Sequence, residues 1–264
     1  MPTKTLYHLQ LSKQALNGAI YAILPGEPDR VEPLAQALDK NAQKLSQHRE
    51  YTSYLANFHG QAILVCSTGI GGPSCSIAIE ELAQLGVKYF VRIGTTGAIQ
   101  ERVKLGDLVI AKAAVREDGA SKHYAPLAYP AAASLRFSSH FVAGAEDLNV
   151  AHHVGIVVSS DTFYAGQERY DSFSKYVRKA FQGSLKEWQQ LNVLSFEMEA
   201  ATLFTLCNVF GLHSACLLGV VAHRLHSENV EPDAHLRAKD NWSKVMIAGL
   251  KRHLQSLNLI DIDI

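Results

Sequence analysis

Residues 89–98 read Tyr-Phe-Val-Arg-Ile-Gly-Thr-Thr-Gly-Ala, and this stretch decides the fold class. The apolar run Tyr89–Ile93 is typical of a buried strand, and it passes directly into Gly94–Gly97, which predicts a tight turn. In open α/β sheets, ligands bind where such turns follow the carboxyl ends of strands. Because Arg92 lies inside the apolar run, its guanidinium needs an anion nearby, either a bound phosphate or a core carboxylate in a structural salt bridge.

The same succession of strand and glycine turn occurs twice earlier in the chain. Pro25–Arg30 follows an apolar run over residues 19–24, and Thr68–Ser74 follows another over residues 62–67. Three such turns could converge on one oxyanion through exposed backbone amides and neighbouring arginines. Any one of them taken alone is equally compatible with a tight turn that binds nothing. None of the three contains a Walker A or dinucleotide-binding fingerprint.

The alternation of short apolar runs with longer segments of helical period predicts an α/β fold. We expect a single domain over residues 1–264, built as a three-layer α/β/α sandwich around a mixed central sheet. Further strands are predicted over residues 107–115, 153–159, 193–196 and 216–222. Helices are predicted over residues 28–38, 74–85, 199–210 and 234–255, the last with Leu236 and Trp242 on its apolar face. The irregular segment 118–135 is expected to form a wall of the site.

Composition excludes several classes of function. The chain has 264 residues, of which 25 are basic and 25 acidic, so nothing in its net charge favours nucleic acid or an anionic membrane surface. No apolar run is long enough to span a bilayer, and residues 1–5 lack an apolar signal core. The four cysteines lack metal-ligand spacing. These features predict a soluble cytoplasmic protein with reduced thiols.

Residues 159–170, Ser-Ser-Asp-Thr-Phe-Tyr-Ala-Gly-Gln-Glu-Arg-Tyr, combine an aromatic ring, an amide and a guanidinium. Phe163 can stack on a planar base. Gln167 and Arg169 offer the acceptor and donors that match the edge of a pyrimidine. The combination suits uracil.

Phe196-Glu197-Met198-Glu199 lies where a predicted strand passes into a predicted helix. Glu199 could accept hydrogen bonds from ribose hydroxyls and stabilise positive charge on the sugar, while Met198 packs on the sugar face. Alternatively, both acids simply favour a helix N-terminus through its dipole.

Two pairs of histidines stand close together in the sequence. His152 and His153 are adjacent, and His223 and His226 are three residues apart. No His-Glu-x-x-His motif occurs, so the sequence does not predict a catalytic metal.

Four motifs together resemble one family. They are Pro-Gly-Glu-Pro-Asp-Arg at 25–30, Ser-Thr-Gly-Ile-Gly-Gly-Pro-Ser at 67–74, Arg-Ile-Gly-Thr-Thr-Gly-Ala-Ile at 92–99 and Phe-Tyr-Ala-Gly-Gln-Glu-Arg-Tyr at 163–170. From His8 to Arg224 the chain is similar to the bacterial uridine phosphorylases of the nucleoside phosphorylase superfamily. The first and third motifs also occur in hexameric purine nucleoside phosphorylases, whereas Gln167 with Arg169 is specific to the uridine enzymes.

The resemblance implies a pentosyltransferase of pyrimidine salvage, which converts uridine and phosphate reversibly into uracil and ribose 1-phosphate without an organic cofactor. Inorganic phosphate is the co-substrate. The implied phosphate-binding residues are Gly26, Arg30, Arg49, Arg92 and Thr95. The implied ribose-binding residues are His8, Thr95, Met198 and Glu199. The implied uracil-binding residues are Phe163, Gln167, Arg169, Val221 and Arg224. The residues expected to act in catalysis are Arg92, Glu199 and Arg169.

The resemblance also implies an oligomer. Arg49 and His8 would enter the site from a neighbouring subunit, so the site needs at least a dimer, and the family assembles as a hexamer made of three dimers. Glu50, Ile70 and Ser74 match the positions that hold a potassium ion at the dimer interface. From the residues alone, an interface held by hydrogen bonds without a metal is an equal alternative.

The chain departs from the family pattern near its base-binding residues. His223 stands where uridine enzymes commonly have asparagine and purine enzymes aspartate. It either alters the surroundings of Arg224 or faces away from the base. Val221 and Ala222 are small for this wall, so the preference among uridine, deoxyuridine and thymidine stays open, and Ala165 replaces a proline in the base loop. The alternatives are a purine nucleoside phosphorylase, a nucleoside hydrolase and a non-catalytic nucleoside-binding protein.

Overall fold

The structure is a computed structural model that describes residues 5–227, 229 and 232–257. Ten strands form one sheet, namely β1 (Tyr21–Pro25), β2 (Gln43–His48), β3 (Tyr51–Phe58), β4 (Gln61–Cys66), β5 (Tyr89–Ala98), β6 (Leu108–Glu117), β7 (Ala131–Ala132), β8 (His152–Ser160), β9 (Ser195–Glu197) and β10 (His213–His223). The described residues also form six α-helices, namely α1 (Val31–Leu38), α2 (Gly72–Leu85), α3 (Leu135–Asp147), α4 (Ser184–Gln190), α5 (Ala200–Val209) and α6 (Pro232–Ser256). Over the same residues, no helix has the length and apolar character needed to cross a membrane.

Strand β5 is the centre of the sheet. It pairs in parallel with β1 on one side and with β10 on the other, and its end pairs antiparallel with β9. From β10 the pairing continues through β6 and β8 to β9, which returns to β5, so five strands close into a circuit. The strands β4, β3 and β2 extend the sheet beyond β1. The predicted α/β fold with a mixed central sheet is confirmed.

Helices cover both faces of the sheet because successive side chains of a strand point to opposite sides. In β1, Ala22 and Leu24 belong to the core that includes α2 and α5. Tyr21 and Ile23 belong to the core that includes α1, α3 and α6. The predicted three-layer arrangement is therefore confirmed.

The prediction of a tight turn at Gly94–Gly97 is wrong, because β5 continues through these residues to Ala98. A Cβ atom added at Gly94 would lie 2.8 Å from Cδ2 of Leu218, and one added at Gly97 would lie 3.1 Å from Cγ of Arg224. The two glycines therefore serve close packing against β10 and the residue that follows it. By contrast, Gly69 and Gly71 after β4 do adopt positive φ angles, 70° and 91°, as expected in a turn.

The segment over residues 118–135 is mostly irregular, as predicted, and a buried arginine organises it. Arg116 on β6 donates hydrogen bonds to four backbone carbonyls of this segment. The acceptors are Ser121, Ala125, Pro126 and Tyr129. Because its charge is shared among these carbonyls, Arg116 holds a loop together and needs no external anion.

Candidate active site

One cavity opens where the turns after β1 and β4, the strand β5, the loop after β8 and the β9–α5 junction meet. Eleven residues assigned a role from the sequence line it, namely Gly26, Arg30, Ile70, Arg92, Thr95, Phe163, Gln167, Arg169, Met198, Glu199 and Val221. None of residues 118–135 is among the lining residues, so the expectation that this segment forms a wall is wrong. Its first residues pack instead against the start of α2 and against α5, where Thr202 donates to the carboxylate of Asp118 at 2.7 Å.

A buried ion pair forms one end of the cavity. Nη2 of Arg92 lies 2.5 Å from Oε2 of Glu199, and the other oxygen of Glu199 accepts the backbone N–H of Gly71 at 2.6 Å. Both charged residues are buried, 5% and 4% exposed. Burial disfavours the charged guanidinium, yet Glu199 and other neighbouring acids hold the pKa of Arg92 above its usual value. Of the two alternatives for Arg92, the structure shows the salt bridge. Arg92 also lines the cavity, and its binding of phosphate stays a prediction.

Two arginine donors in this region have no acceptor among the described residues. They are the buried Nε atoms of Arg92 and Arg30. Arg30 otherwise pairs with Glu27 at 2.8 Å, and burial lowers its pKa. A buried N–H without an acceptor costs roughly 1–3 kcal/mol, so an anion that supplies an acceptor here is favoured. The turn residue Gly26 lies close by, since a Cβ atom on it would lie 3.5 Å from Nη2 of Arg92.

The two acids of the β9–α5 junction have different surroundings. Glu197 accepts the backbone N–H groups of Glu199 and Ala200, each at 2.8 Å, and the hydroxyl of Ser159. It thereby caps the N-terminus of α5, while Glu199 faces Arg92. Burial, then the charge of Glu199, raises the pKa of Glu197 to about 7. Glu197 also lines the cavity, a position that the sequence analysis did not assign; its proximity to Glu199 in sequence was the available signal.

The other end of the cavity carries the groups expected to bind the base. Gln167 and Arg169 are buried, 3% and 2% exposed, and the guanidinium of Arg169 lies 4.0 Å from the ring centroid of Phe163. One face of the Phe163 ring therefore already contacts a cation, and the residue as a whole is 40% exposed. This end presents an amide and a guanidinium beside an aromatic ring, the set that suits a planar heterocycle with carbonyl and N–H groups on its edge.

A neighbouring carboxylate holds the base loop in place. Glu168 has a left-handed backbone, φ 51°, and its side chain accepts the backbone N–H groups of Gly183 and Leu185 at the N-terminus of α4. Because Glu168 points toward α4, the residues on either side of it, Gln167 and Arg169, point into the cavity.

The sequence profile described as "Phosphorylase superfamily" matches residues 20–253. The chain belongs to the phosphorylase superfamily. It is 46% identical to a uridine phosphorylase of Escherichia coli over 96% of this chain and all of the relative, and 52% identical to one of Haemophilus influenzae over 84% of this chain and 88% of the relative. A guanosine phosphorylase of Halorubrum lacusprofundi is 37% identical over 85% of this chain and 89% of the relative.

Two residues that the sequence placed near the base site do not line the cavity of this phosphorylase-superfamily chain. Arg224 donates to the backbone carbonyl of Gln167 at 2.9 Å, so it supports the base loop from behind. His223 is buried and stacks on His226, away from the cavity lining. Of the two positions considered for His223, the structure has the one that faces away from the base.

Arg49 and His8, which were also assigned a role from the sequence, do not line the cavity of their own chain. Arg49 lies in the two-residue turn between β2 and β3, with its guanidinium 5.9 Å from the ring centroid of Tyr7. The side chain of His8 lies 2.7 Å from a carboxylate oxygen of Glu81. The expected role of both residues in the site of a neighbouring subunit stays a prediction.

The residues expected to hold potassium do come together. Oγ of Ser74 donates to the carbonyl of Ile70 at 3.2 Å. A Cβ atom added at Gly69 would lie 2.9 Å from Cγ of Glu50 and 3.1 Å from Oγ of Ser74, so both side chains flank this turn. Carboxylate, carbonyl and hydroxyl oxygens are ligands that suit a hard cation, so the donor set fits potassium.

Proposed function

We propose that the chain catalyses the reversible phosphorolysis of uridine, yielding uracil and ribose 1-phosphate, with inorganic phosphate as co-substrate. The observation that carries this function is one cavity that joins the buried Arg92–Glu199 pair at one end to Gln167 and Arg169 at the other. The full-length similarity to uridine phosphorylases supports the same reaction.

Phosphate binds between the turn after β1 and the strand β5. Gly26 provides backbone that a ligand can approach, Arg30 and Arg92 provide buried donors without acceptors among the described residues, and Thr95 provides a hydroxyl on the cavity wall. The arrangement holds one phosphate oxygen toward the anomeric carbon of the sugar. Positioning of this kind accounts for much of the acceleration in reactions between two bound substrates.

The sugar lies next to Met198 and Glu199. Phosphate oxygen forms a bond to the anomeric carbon as the bond from that carbon to the base nitrogen breaks, and the electron pair of the broken bond leaves with the base. Positive charge that develops on the sugar is stabilised by the carboxylate of Glu199, which is already held in place by Arg92 and Gly71. No nucleophilic side chain is required because phosphate itself attacks.

Uracil leaves as an anion whose charge is spread over its ring oxygens. The guanidinium of Arg169 and the amide of Gln167 donate hydrogen bonds to that charge, and the anion then takes a proton from solvent. Val221 and Ala222 form the adjoining wall. Thymidine is a further substrate to compare, because Val221 and Ala222 are small side chains beside which the 5-methyl group of its base could fit. Deoxyuridine, which lacks the 2′-hydroxyl, tests the sugar contact of Glu199.

The working form is an oligomer in this proposal. Arg49 and His8 complete the phosphate and ribose sites of a neighbouring subunit, since neither reaches the cavity of its own chain. A hexamer of three dimers, with potassium held by Glu50, Ile70 and Ser74 at each dimer interface, extends the proposal. Folding of residues 1–264 as one domain and a cytoplasmic location also belong to it and stay predictions.

Uracil release from uridine by the purified protein tests the reaction. The assay is run with and without inorganic phosphate, with inosine in parallel as a purine substrate. Phosphate-dependent uracil release with little cleavage of inosine is the expected result. Release without phosphate would indicate a hydrolase, faster cleavage of inosine would indicate a purine enzyme, and no turnover of either would indicate a nucleoside-binding protein.

A further inference from the structure

A second group of titratable side chains lies outside the active-site cavity, at the turn that follows β10. His223 ends β10, and the backbone N–H groups of His226 and Ser227 both donate to its carbonyl at 3.0 Å. The chain therefore folds back, and the imidazole rings of His223 and His226 stack with their centroids 4.4 Å apart. Glu101, from the connection between β5 and β6, lies against them. The reaction described above uses none of these three side chains.

We propose that Glu101, His223 and His226 form a binding site for a divalent transition-metal ion, with Zn²⁺ as the ion that suits the donors. One nitrogen of each histidine and a carboxylate oxygen lie within 4.8 Å of one another. Two imidazole nitrogens and one carboxylate oxygen match the three-ligand zinc sites that keep a fourth position for water. The set differs from the potassium residues, which offer only oxygen.

When the ion binds, the ligand atoms must draw closer together, and the stacked ring of His226 must turn, because an imidazole nitrogen binds a metal in the plane of its ring. Ligand atoms around tetrahedral zinc lie about 3.3 Å apart, given bonds of about 2.0–2.1 Å. Nε2 of His226 and Oε2 of Glu101 are already 3.1 Å apart. Their side chains are 61% and 64% exposed, so they can move toward His223 without disturbing the core.

The buried ring of His223 is the observation that points to a ligand. The residue is 7% exposed, and neither ring nitrogen forms a hydrogen bond with any residue that the structure describes. The backbone of Gln100 is near enough to favour the protonated ring, yet it lacks hydrogen-bond geometry. An imidazole has one nitrogen lone pair in its neutral form, and no hydrogen bond among the described residues uses that of His223. A metal ion would use that lone pair.

One neighbouring charge opposes the ion. Lys104 lines the same recess as the two histidines, and its ammonium group donates to the backbone carbonyl of Glu101 at 2.5 Å. The carboxylate of Glu101 offsets this charge in part. We therefore expect binding weaker than in structural zinc sites made of four cysteine or histidine ligands.

Metal binding would fasten the turn after β10 to the connection after β5. Val221 and Ala222 directly precede His223 and line the active-site cavity, so the ion would stabilise one wall of that cavity from outside. Binding favours the state that holds the ion, and the folded protein should therefore unfold at higher temperature in its presence.

Titration of chelator-treated full-length protein with ZnCl₂ in phosphate-free buffer near neutral pH tests the site. Calorimetry should find one ion per chain. Co²⁺ in the same site should produce the visible absorption that is typical of tetrahedral coordination. His226→Gln and Glu101→Gln should each weaken binding about tenfold or more. His123→Gln is the control, because His123 is exposed and lies outside the group.

Absence of saturable binding in the unaltered protein would overturn the proposal. So would equal affinity in His226→Gln and His123→Gln, since the ion would then be bound elsewhere. The side chains of His226 and Glu101 are both exposed, so the substitutions should not disturb the fold, and circular dichroism verifies this. Uridine turnover is measured separately, so failure of the proposed reaction and failure of the metal site are distinguishable.

Discussion

The two ends of the active-site cavity are built from different parts of the fold. At the phosphate end, Arg92 lies on the central strand β5 and Glu199 on the junction into α5, and both are buried. At the base end, Gln167 and Arg169 come from the loop after β8, beside the half-exposed ring of Phe163. The groups proposed to bind phosphate and sugar are thus part of the core, whereas the groups proposed to bind the base are carried by a loop fastened to α4.

This difference indicates that the groups for the chemical step and the groups for base specificity can be altered separately. Removal of one partner of a core ion pair costs stability, because the other charge stays buried, while a loop can vary with little effect on the sheet. We expect substitutions at the phosphate end to reduce turnover and stability together. Substitutions at the base end should mainly reduce turnover of uridine.

Arg92→Met should have the largest effect. Loss of the guanidinium removes donors for phosphate and leaves Glu199 buried without its cation. We expect kcat/KM for uridine to fall about 10³-fold and the free energy of unfolding to fall by roughly 3–5 kcal/mol. Uracil release and urea denaturation measure the two quantities.

The double variant Arg92→Met with Glu199→Gln separates these two effects. Removal of both charges should recover much of the stability, because no uncompensated buried charge remains, while turnover stays low. Unchanged phosphate dependence in the single variant would place the anion site elsewhere.

Arg169→Met should reduce kcat/KM for uridine about 10²-fold, because a donor to the departing uracil anion is lost. The KM for phosphate should change little, and the midpoint of urea denaturation should fall less than it does in Arg92→Met. Arg178→Met is the matched control, since Arg178 also lies over a phenylalanine ring, at 5.1 Å from Phe181, but is exposed. Equal losses in the two variants would contradict the base assignment.

Glu168→Gln tests whether the loop must be held in place. The carboxylate accepts backbone N–H groups of Gly183 and Leu185, and weakening these bonds should loosen Gln167 and Arg169. We expect a loss of about tenfold in kcat/KM for uridine, which corresponds to about 1.4 kcal/mol. Glu187→Gln, exposed on α4, should behave like the unaltered protein. Full activity in Glu168→Gln would mean that Arg224 alone supports the loop.

Glu197→Gln should have the smallest effect on turnover and a clear effect on the pH dependence of stability. The pKa of Glu197 rises from 4.5 to about 7 on folding, so between these pH values the unfolded chain is ionised while the folded chain keeps its proton. Its contribution is therefore full below pH 4.5 and is lost as pH rises toward 7, by about 1–3 kcal/mol.

Urea denaturation at intervals across this range measures the slope. The amide of the variant does not titrate, so its decline in stability should be shallower than that of the unaltered protein. Parallel curves for the two proteins would show that Glu197 is ionised in the folded state throughout the range.

Much of the site could be predicted because its groups stand in compact motifs. The turn at residues 25–30, the run around Arg92 and the segment from Phe163 to Arg169 each combine residue types whose chemistry is apparent locally. Those motifs line one cavity in the structure. Their individual roles in binding stay predictions until variants are measured.

Several elements escaped prediction for identifiable reasons. Strand β2 is an edge strand with mostly exposed or half-buried polar residues, so it lacks apolar alternation. The β3–β4 hairpin did have a sequence signal, namely His59-Gly60 between two apolar runs, and both residues adopt positive φ in its turn. Helix α3 also had one, because Phe137, Phe141 and Ala145 recur four residues apart and are buried.

In α6 the prediction of the apolar face was correct for Trp242 and wrong for Leu236, which is 67% exposed. The small residue Ala238 is buried against Gly219 of β10, where a Cβ atom added to the glycine would lie 2.4 Å from that of Ala238. The helix face that meets the sheet is therefore the one that carries the small residue Ala238, because helix and sheet approach closely there. The prediction chose Leu236 by its hydrophobicity alone and so placed it on the wrong face.

The sequence by itself determined the layered α/β fold and the chemical groups of the active site, because hydrophobic periodicity and short motifs act within a few residues of chain. Only the tertiary structure decided which groups meet. Arg92 and Glu199 are 107 residues apart in sequence, and packing of α5 against the sheet brings them into contact. The same holds for the continuation of β5 through two glycines, which depends on how closely β10 approaches. Such long-range contacts follow from packing of the whole chain, and no local pattern encodes them.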